Sequence, residues 1–122
     1  MTNEKTTPNY DRENIFAKII RGEIESKRVG ESEHFVAIKD AYPQAPVHLL
    51  ILPKRELKNL EAVGLEEVEY MGELLRFARQ LAEEVGIAKN YQLHLNSGDQ
   101  VQQVHHLHLH LMGGWKAGAE PK

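Results

Sequence analysis

A run of nine residues, Val104-His105-His106-Leu107-His108-Leu109-His110-Leu111-Met112, restricts the fold more than any other part of the chain. Side chains of an extended strand alternate between its two faces. Val104, His106, His108, His110 and Met112 therefore fall on one face, and Leu107, Leu109 and Leu111 on the other. The leucine face is core material. Three imidazoles in a row are not, because each buried ring brings a donor and an acceptor that need partners. The alternation predicts a strand over 104–112 with one face in the core and the other in a site.

The elements that would support this strand can be read in order. Asp11 or Asn14 can cap a short helix running to about Arg21, with Ile15 or Phe16 and Ile19 or Ile20 on one face and Gly22 as the stop. Strands are predicted at 27–31 and 34–39, with a turn around 31–33. Pro43 and Pro46 then force an ordered loop. Val47 to Leu52, apolar except for His48, reads as a buried central strand, and residues 54–64 as loop with a short helical turn. From Leu65 to Val85 the residues Leu65, Val68, Met71 or Gly72, Leu75, Ala78, Ala82 and Val85 recur at helical spacing, and Gly86 is the stop. Tyr91 to Asn96 alternates again, and Ser97-Gly98-Asp99 is turn chemistry. Strands, one long helix, then strands predict an α+β fold with a largely antiparallel sheet.

Composition narrows the function. A chain of 122 residues with 41% hydrophobic content suits one domain, expected over 13–114 between polar tails at 1–12 and 115–122. A formal net charge of -3 gives no basic footprint for nucleic acid, although local donors can still bind one phosphate. No cysteine is present, so neither a disulfide framework nor a thiolate zinc site can form. The polar first residues and the lack of a long apolar run predict a cytoplasmic protein with no membrane association.

Two chemistries suit the histidine row. Imidazoles ligate transition metals, but strand positions four apart are about 13 Å from each other, so a metal would take two of the row plus His48 or His94. Alternatively, an imidazole is a neutral nucleophile or a phosphate-facing cation near neutral pH. The middle ring then attacks phosphorus while its neighbours donate to phosphate oxygens or to the leaving group, a division that uses all three. His34 and His105 read as ordinary surface residues, and His94 as either packing or site support.

The reading His106-Leu107-His108-Leu109-His110-Leu111-Met112 matches the histidine triad motif, a histidine-hydrophobic pair repeated three times. Two further blocks, Asp40 to His48 and Ile15 to Ile24, stand upstream of it in the expected order. The chain thus resembles the histidine triad nucleotide-binding proteins, in the branch of small nucleoside phosphoramidases. The resemblance implies a half-barrel on a five-stranded antiparallel sheet with a short N-terminal helix and a long central one, assembled as a homodimer. It implies hydrolysis of AMP or GMP phosphoramidates through a nucleotidylated histidine, with no metal or other cofactor. His108 is then the expected nucleophile, His110 the contact to phosphate and leaving group, and His106 and His48 the residues that orient the site and relay protons. Asp40 is expected at the ribose hydroxyls, Phe16, Ile19, Ile24, Ile38 and Leu50 at the base, and Asn96 at the phosphate.

Some positions depart from the family pattern. Where relatives carry glycine, glutamine and a small hydroxyl residue, this chain has Val101, Gln102 and Gln103, leaving phosphate contact to the Gln103 amide. Glu56 stands where relatives often have histidine, and the tail past Gly114 is short. Val101 and Gln103 keep open the reading of a non-catalytic AMP-binding scaffold protein, and the same histidines suit a dinucleoside polyphosphate hydrolase.

Overall fold

The computed structural model describes residues 9–121. Five strands, β1 (Arg28–Glu31), β2 (Phe35–Lys39), β3 (Val47–Pro53), β4 (Tyr91–Leu95) and β5 (Leu109–Gly113), form one sheet in the order β1-β2-β3-β5-β4, with every pair antiparallel. Helix α1 (Ile15–Ile20) precedes the sheet, and α2 (Val68–Glu84) links β3 to β4. The predicted α+β class and the five-stranded antiparallel sheet with one short and one long helix are what the chain forms. Because β4 takes the edge and β5 returns between β3 and β4, the last strand is hydrogen-bonded on both sides and its side chains are fixed in register.

Directly paired residues of an antiparallel sheet share a face. One face carries Phe35, Ala37, Leu49, Ile51, Leu109 and Leu111, packed against Leu74, Ala78, Leu81 and Ala82 of α2 and against Ile87. At about 2 kcal/mol for each large apolar side chain removed from water, this layer is the main source of stability. The other face carries Val36, Ile38, Leu50 and Leu52, covered by Phe16 and Ile19 of α1. On that same face β5 and β4 present His110, Met112, Gln92 and His94, which remain partly or fully exposed. Phe16 and Ile19 thus cover the β2–β3 part of this face, and the β5–β4 part beside them stays open.

Local chemistry sets the boundaries. Asn14, not Asp11, is the N-cap of α1: its side chain accepts from the Ala17 amide at 2.8 Å. Gly22, at φ 83°, ends the helix in a conformation that a Cβ would disfavour. The turn between β1 and β2 closes through Ser32, whose amide donates to the Phe35 carbonyl at 2.8 Å and whose hydroxyl accepts from the Phe35 amide at 3.1 Å. Gly113 ends β5 where a Cβ would lie 2.8 Å from Ile87 Cδ1 and 3.0 Å from the Asn90 carbonyl oxygen.

Two expectations are corrected. The strand predicted over 104–112 is a strand only at Leu109–Gly113. Before it the backbone leaves the ladder: the Leu107 amide donates to the Leu57 carbonyl at 2.8 Å, and Gln102 bridges the Gly98 amide and the carbonyls of Lys58 and Val104. Leu107 accordingly packs with Leu57 and Val63 and not with Leu109 and Leu111. The second correction concerns α2. It starts at Val68; Ala78 and Ala82 of the predicted stripe are buried, together with Leu74 and Leu81, while Leu65, Val68 and Leu75 are 92%, 69% and 55% exposed. The helix carries two apolar stripes about a quarter turn apart, and periodicity alone does not say which one meets the sheet.

Of the expected N-terminal tail, residues 1–8 lie outside the described residues. Tyr10 and Arg12 pack back on the domain, Tyr10 against His106 and Arg12 Nε at 2.5 Å from the Glu56 carboxylate. Residues 115–121 follow β5 without regular structure apart from one turn at 117–118. Among the described residues, no helix is long and apolar enough to cross a membrane.

Candidate active site

Four histidines meet at the cleft from two strands and one loop. His48 comes from β3, His110 from β5, and His106 and His108 from the bends just before β5. Their rings form a continuous series: Phe16 to His108 at 5.0 Å between centroids, His108 to His110 at 5.2 Å, and His110 to His48 at 5.1 Å. His106 lies behind, 6.4 Å from Phe16, and His94 flanks His110 at 5.8 Å. The three triad rings therefore gather on one side even though only His110 belongs to a regular strand.

Main-chain groups decide where each ring carries its proton. The Gln44 amide donates to His48 Nδ1 at 2.9 Å, so the His48 proton is on Nε2. That nitrogen is 2.8 Å from His110 Nδ1 and 3.2 Å from Asp40 Oδ2. It donates to His110 Nδ1, with the Asp40 carboxylate alongside, and His110 is left with its own proton on Nε2. His108 Nδ1 donates to the His106 carbonyl at 2.7 Å, which places a bare lone pair on His108 Nε2. His106 Nε2 donates to the Pro53 carbonyl at 2.9 Å. A nucleophilic nitrogen and a proton donor thus stand on adjacent rings.

Burial keeps the rings neutral. His106, His48 and His108 are 1%, 5% and 7% exposed. Burial pushes the His106 pKa down to about 4, and the neighbouring His108 pushes the same way against the Pro53 hydrogen bond. His110 also falls to about 4, mainly through burial, with His108 and His48 adding to it. Burial lowers His108 and His48 as well, opposed in each by the Asp40 carboxylate. An uncharged imidazole is the form that can attack phosphorus.

The remaining residues fall into three groups. Phe16, Ile19, Ile38 and Leu50 form one buried apolar cluster next to His108, but Ile24, 38% exposed, lies outside it. Asp40 sits at the end of β2, its Oδ1 accepting from the Tyr42 amide at 2.8 Å. Asn96 accepts from His94 Nε2 at 3.1 Å, and Gln103 is exposed on the bend before the triad. His34 is engaged away from the cleft, 2.8 Å from Glu73, and His105 faces Asp99 at 3.7 Å. For a metal, the donor set brought together is Asp40, His48 and His110, with all ligand atoms within 4.8 Å of one another. It takes one triad member and a carboxylate, not two triad members. The His48–His110 hydrogen bond and the 3.2 Å approach of Asp40 to His48 already account for the proximity.

Two contributors were not legible as site residues. Gln102, buried at 6% exposure, staples the loop that carries His106. Tyr10 bonds to His106 across 96 residues of sequence. Each is a lone polar residue in a loop, and no periodicity or motif marks such a residue.

Residues 21–117 match the family model described as the HIT domain. A HIT-like protein of Chlamydia pneumoniae is 44% identical over 106 residues, which span 86% of this chain and 96% of that protein. Another from Synechocystis is 46% identical over 101 residues, covering 82% of this chain and 89% of its own. Among solved structures, a HIT family hydrolase from Clostridium thermocellum superposes with a TM-score of 0.81 at 38% identity, over 92% of this chain and 97% of that one. A HIT family hydrolase from Legionella pneumophila gives 0.78 at 38% identity, over 84% and 93%. The chain belongs to the histidine triad, or HIT, family.

Proposed function

We propose that the protein hydrolyses purine nucleoside 5′-phosphoramidates, with AMP or GMP as the nucleotide part. The observation that carries this reading is the bare Nε2 of His108 next to a His110 whose proton is on Nε2. The His108 lone pair attacks the α-phosphorus, the P–N bond to the amine breaks, and the amine leaves with the His110 proton. A water then attacks the nucleotidylated His108, giving its proton to His110 and releasing the nucleoside monophosphate and free His108. The base lies against the cluster of Phe16, Ile19, Ile38 and Leu50, and Asp40 accepts from the ribose hydroxyls. Asn96 and Gln103 hold the phosphate. The resemblance to two proteins described as HIT family hydrolases supports a hydrolytic outcome.

The test is a trapped intermediate. Mixing the protein with an adenosine phosphoramidate and quenching within one turnover should leave AMP on the peptide containing His108, read by mass spectrometry. Unmodified peptide throughout, with amine released, would point to direct attack by water. Running a dinucleoside polyphosphate at equal concentration separates the two hydrolytic readings, and tight AMP binding without turnover of either substrate would leave a scaffold protein.

The same reading includes a homodimer. Val68 and Leu75 on α2, and Leu65 just before it, are exposed, and edge strand β4 shows Leu93 at 40% on the sheet face that α2 covers. Covering that apolar surface is the reason for a second copy. Light scattering at micromolar concentration is expected to give twice the chain mass, and Leu75→Glu to give one chain mass. A wild type that stays monomeric there removes the dimer.

A further inference from the structure

We infer that Tyr10 is a positioning residue of the active site, acting through His106 on the nucleophile His108. Its ring stands edge-on to His106, with centroids 5.6 Å apart at 71°, and its hydroxyl meets His106 Nδ1. The other nitrogen of that ring, Nε2, is 2.9 Å from the Pro53 carbonyl oxygen, which can only accept. Nε2 therefore carries the proton, Nδ1 is bare, and the Tyr10 O–H donates to it. A neutral ring with its proton on Nδ1 would set a lone pair against the Pro53 carbonyl. His106 is 1% exposed, so a nitrogen that loses its partner is left in a dry interior.

The consequence reaches the reacting atom through one peptide group. The carbonyl of His106 receives Nδ1–H of His108 at 2.7 Å, and that bond frees His108 Nε2. A His106 ring held at both nitrogens cannot turn, and the carbonyl on the same residue keeps its aim. Tyr10 is itself held in place: Arg12 pairs with Glu56 at 2.5 Å, and the Asp11 carbonyl accepts from the Asn14 side chain at 2.7 Å. Glu56 thus anchors the segment that delivers the tyrosine.

Tyr10→Phe removes the hydroxyl and keeps the ring. Turnover of an adenosine phosphoramidate should fall about ten-fold in kcat, with KM changed by less than about two-fold, because nucleophile aim is lost and nucleotide contacts are not. Nitrogen-15 NMR supplies a readout independent of activity. In the wild type His106 should show a protonated Nε2 and an unprotonated, hydrogen-bonded Nδ1, and in the variant the Nδ1 resonance should move to that of a free unprotonated nitrogen. Tyr10→Leu should lose as much kcat as Tyr10→Phe while melting at a lower temperature. Wild-type kcat in a folded Tyr10→Phe protein, or a wild-type His106 with its proton on Nδ1, overturns the inference. The kinetic part rests on the hydrolytic reading above; a wild type without phosphoramidate turnover defeats that reading alone, and the NMR comparison still decides Tyr10.

Discussion

Replacing His108 by alanine or asparagine is expected to lower turnover of an adenosine phosphoramidate by about ten-thousand-fold or more, the scale on which removal of a covalent nucleophile acts. Among the four rings, His48 and His106 offer Nδ1 to a donor, and His110 offers Nδ1 to His48, whereas His108 is the ring that presents a bare Nε2. Nothing in the cluster can take over that nitrogen without breaking a hydrogen bond. Binding should respond differently. The apolar cluster of Phe16, Ile19, Ile38 and Leu50 and the Asp40 carboxylate keep their places when the ring is removed, so AMP affinity by calorimetry should stay within a few-fold. A variant with a tenth of wild-type turnover would remove His108 from the covalent role.

Acid should destabilise the fold before most carboxylates titrate. Between the ordinary histidine pKa of 6.5 and the folded-state value of about 4, the unfolded chain binds a proton at His106 that the folded one refuses. Stability therefore rises with pH through that window and is lost as pH falls from 6.5 toward 4. For His106 the full difference is on the order of 3 kcal/mol, with His48, His108 and His110 shifted in the same direction. Melting temperatures from pH 7 to pH 4.5 should fall continuously, and the acid limb of kcat/KM should have its midpoint below 6.5. A melting temperature flat to pH 5 would mean that these rings are not held neutral by burial.

Much of this was legible in the chain, for reasons that differ by element. β2, β3 and β4 alternate or run apolar between turn formers, and α1 has a capping asparagine and a stopping glycine. The histidine run was read correctly as to side but not as to backbone. Alternation reports where side chains go, and it does not report that the Leu107 amide finds Leu57 in place of a partner strand. The long helix was read correctly at Ala78 and Ala82 and misled at Val68 and Leu75, which repeat with the same period as Leu74 and Leu81 on a neighbouring face. The meeting of Asp40 with His48 and His110 needed the sheet register, which pairs β3 with β5 across more than 60 residues. Tyr10 and Gln102 needed coordinates outright.

The protons of this cleft are addressed by peptide groups: the Gln44 amide, the Pro53 carbonyl and the His106 carbonyl. Such groups do not titrate in the working range, and no single codon change can delete a carbonyl. Side chains around the mouth are therefore free to drift, and with them, under the proposed reaction, the choice of leaving amine. The proton wiring is inherited with the path of the chain, so a designer could rewrite the rim without having to rebuild what lies underneath.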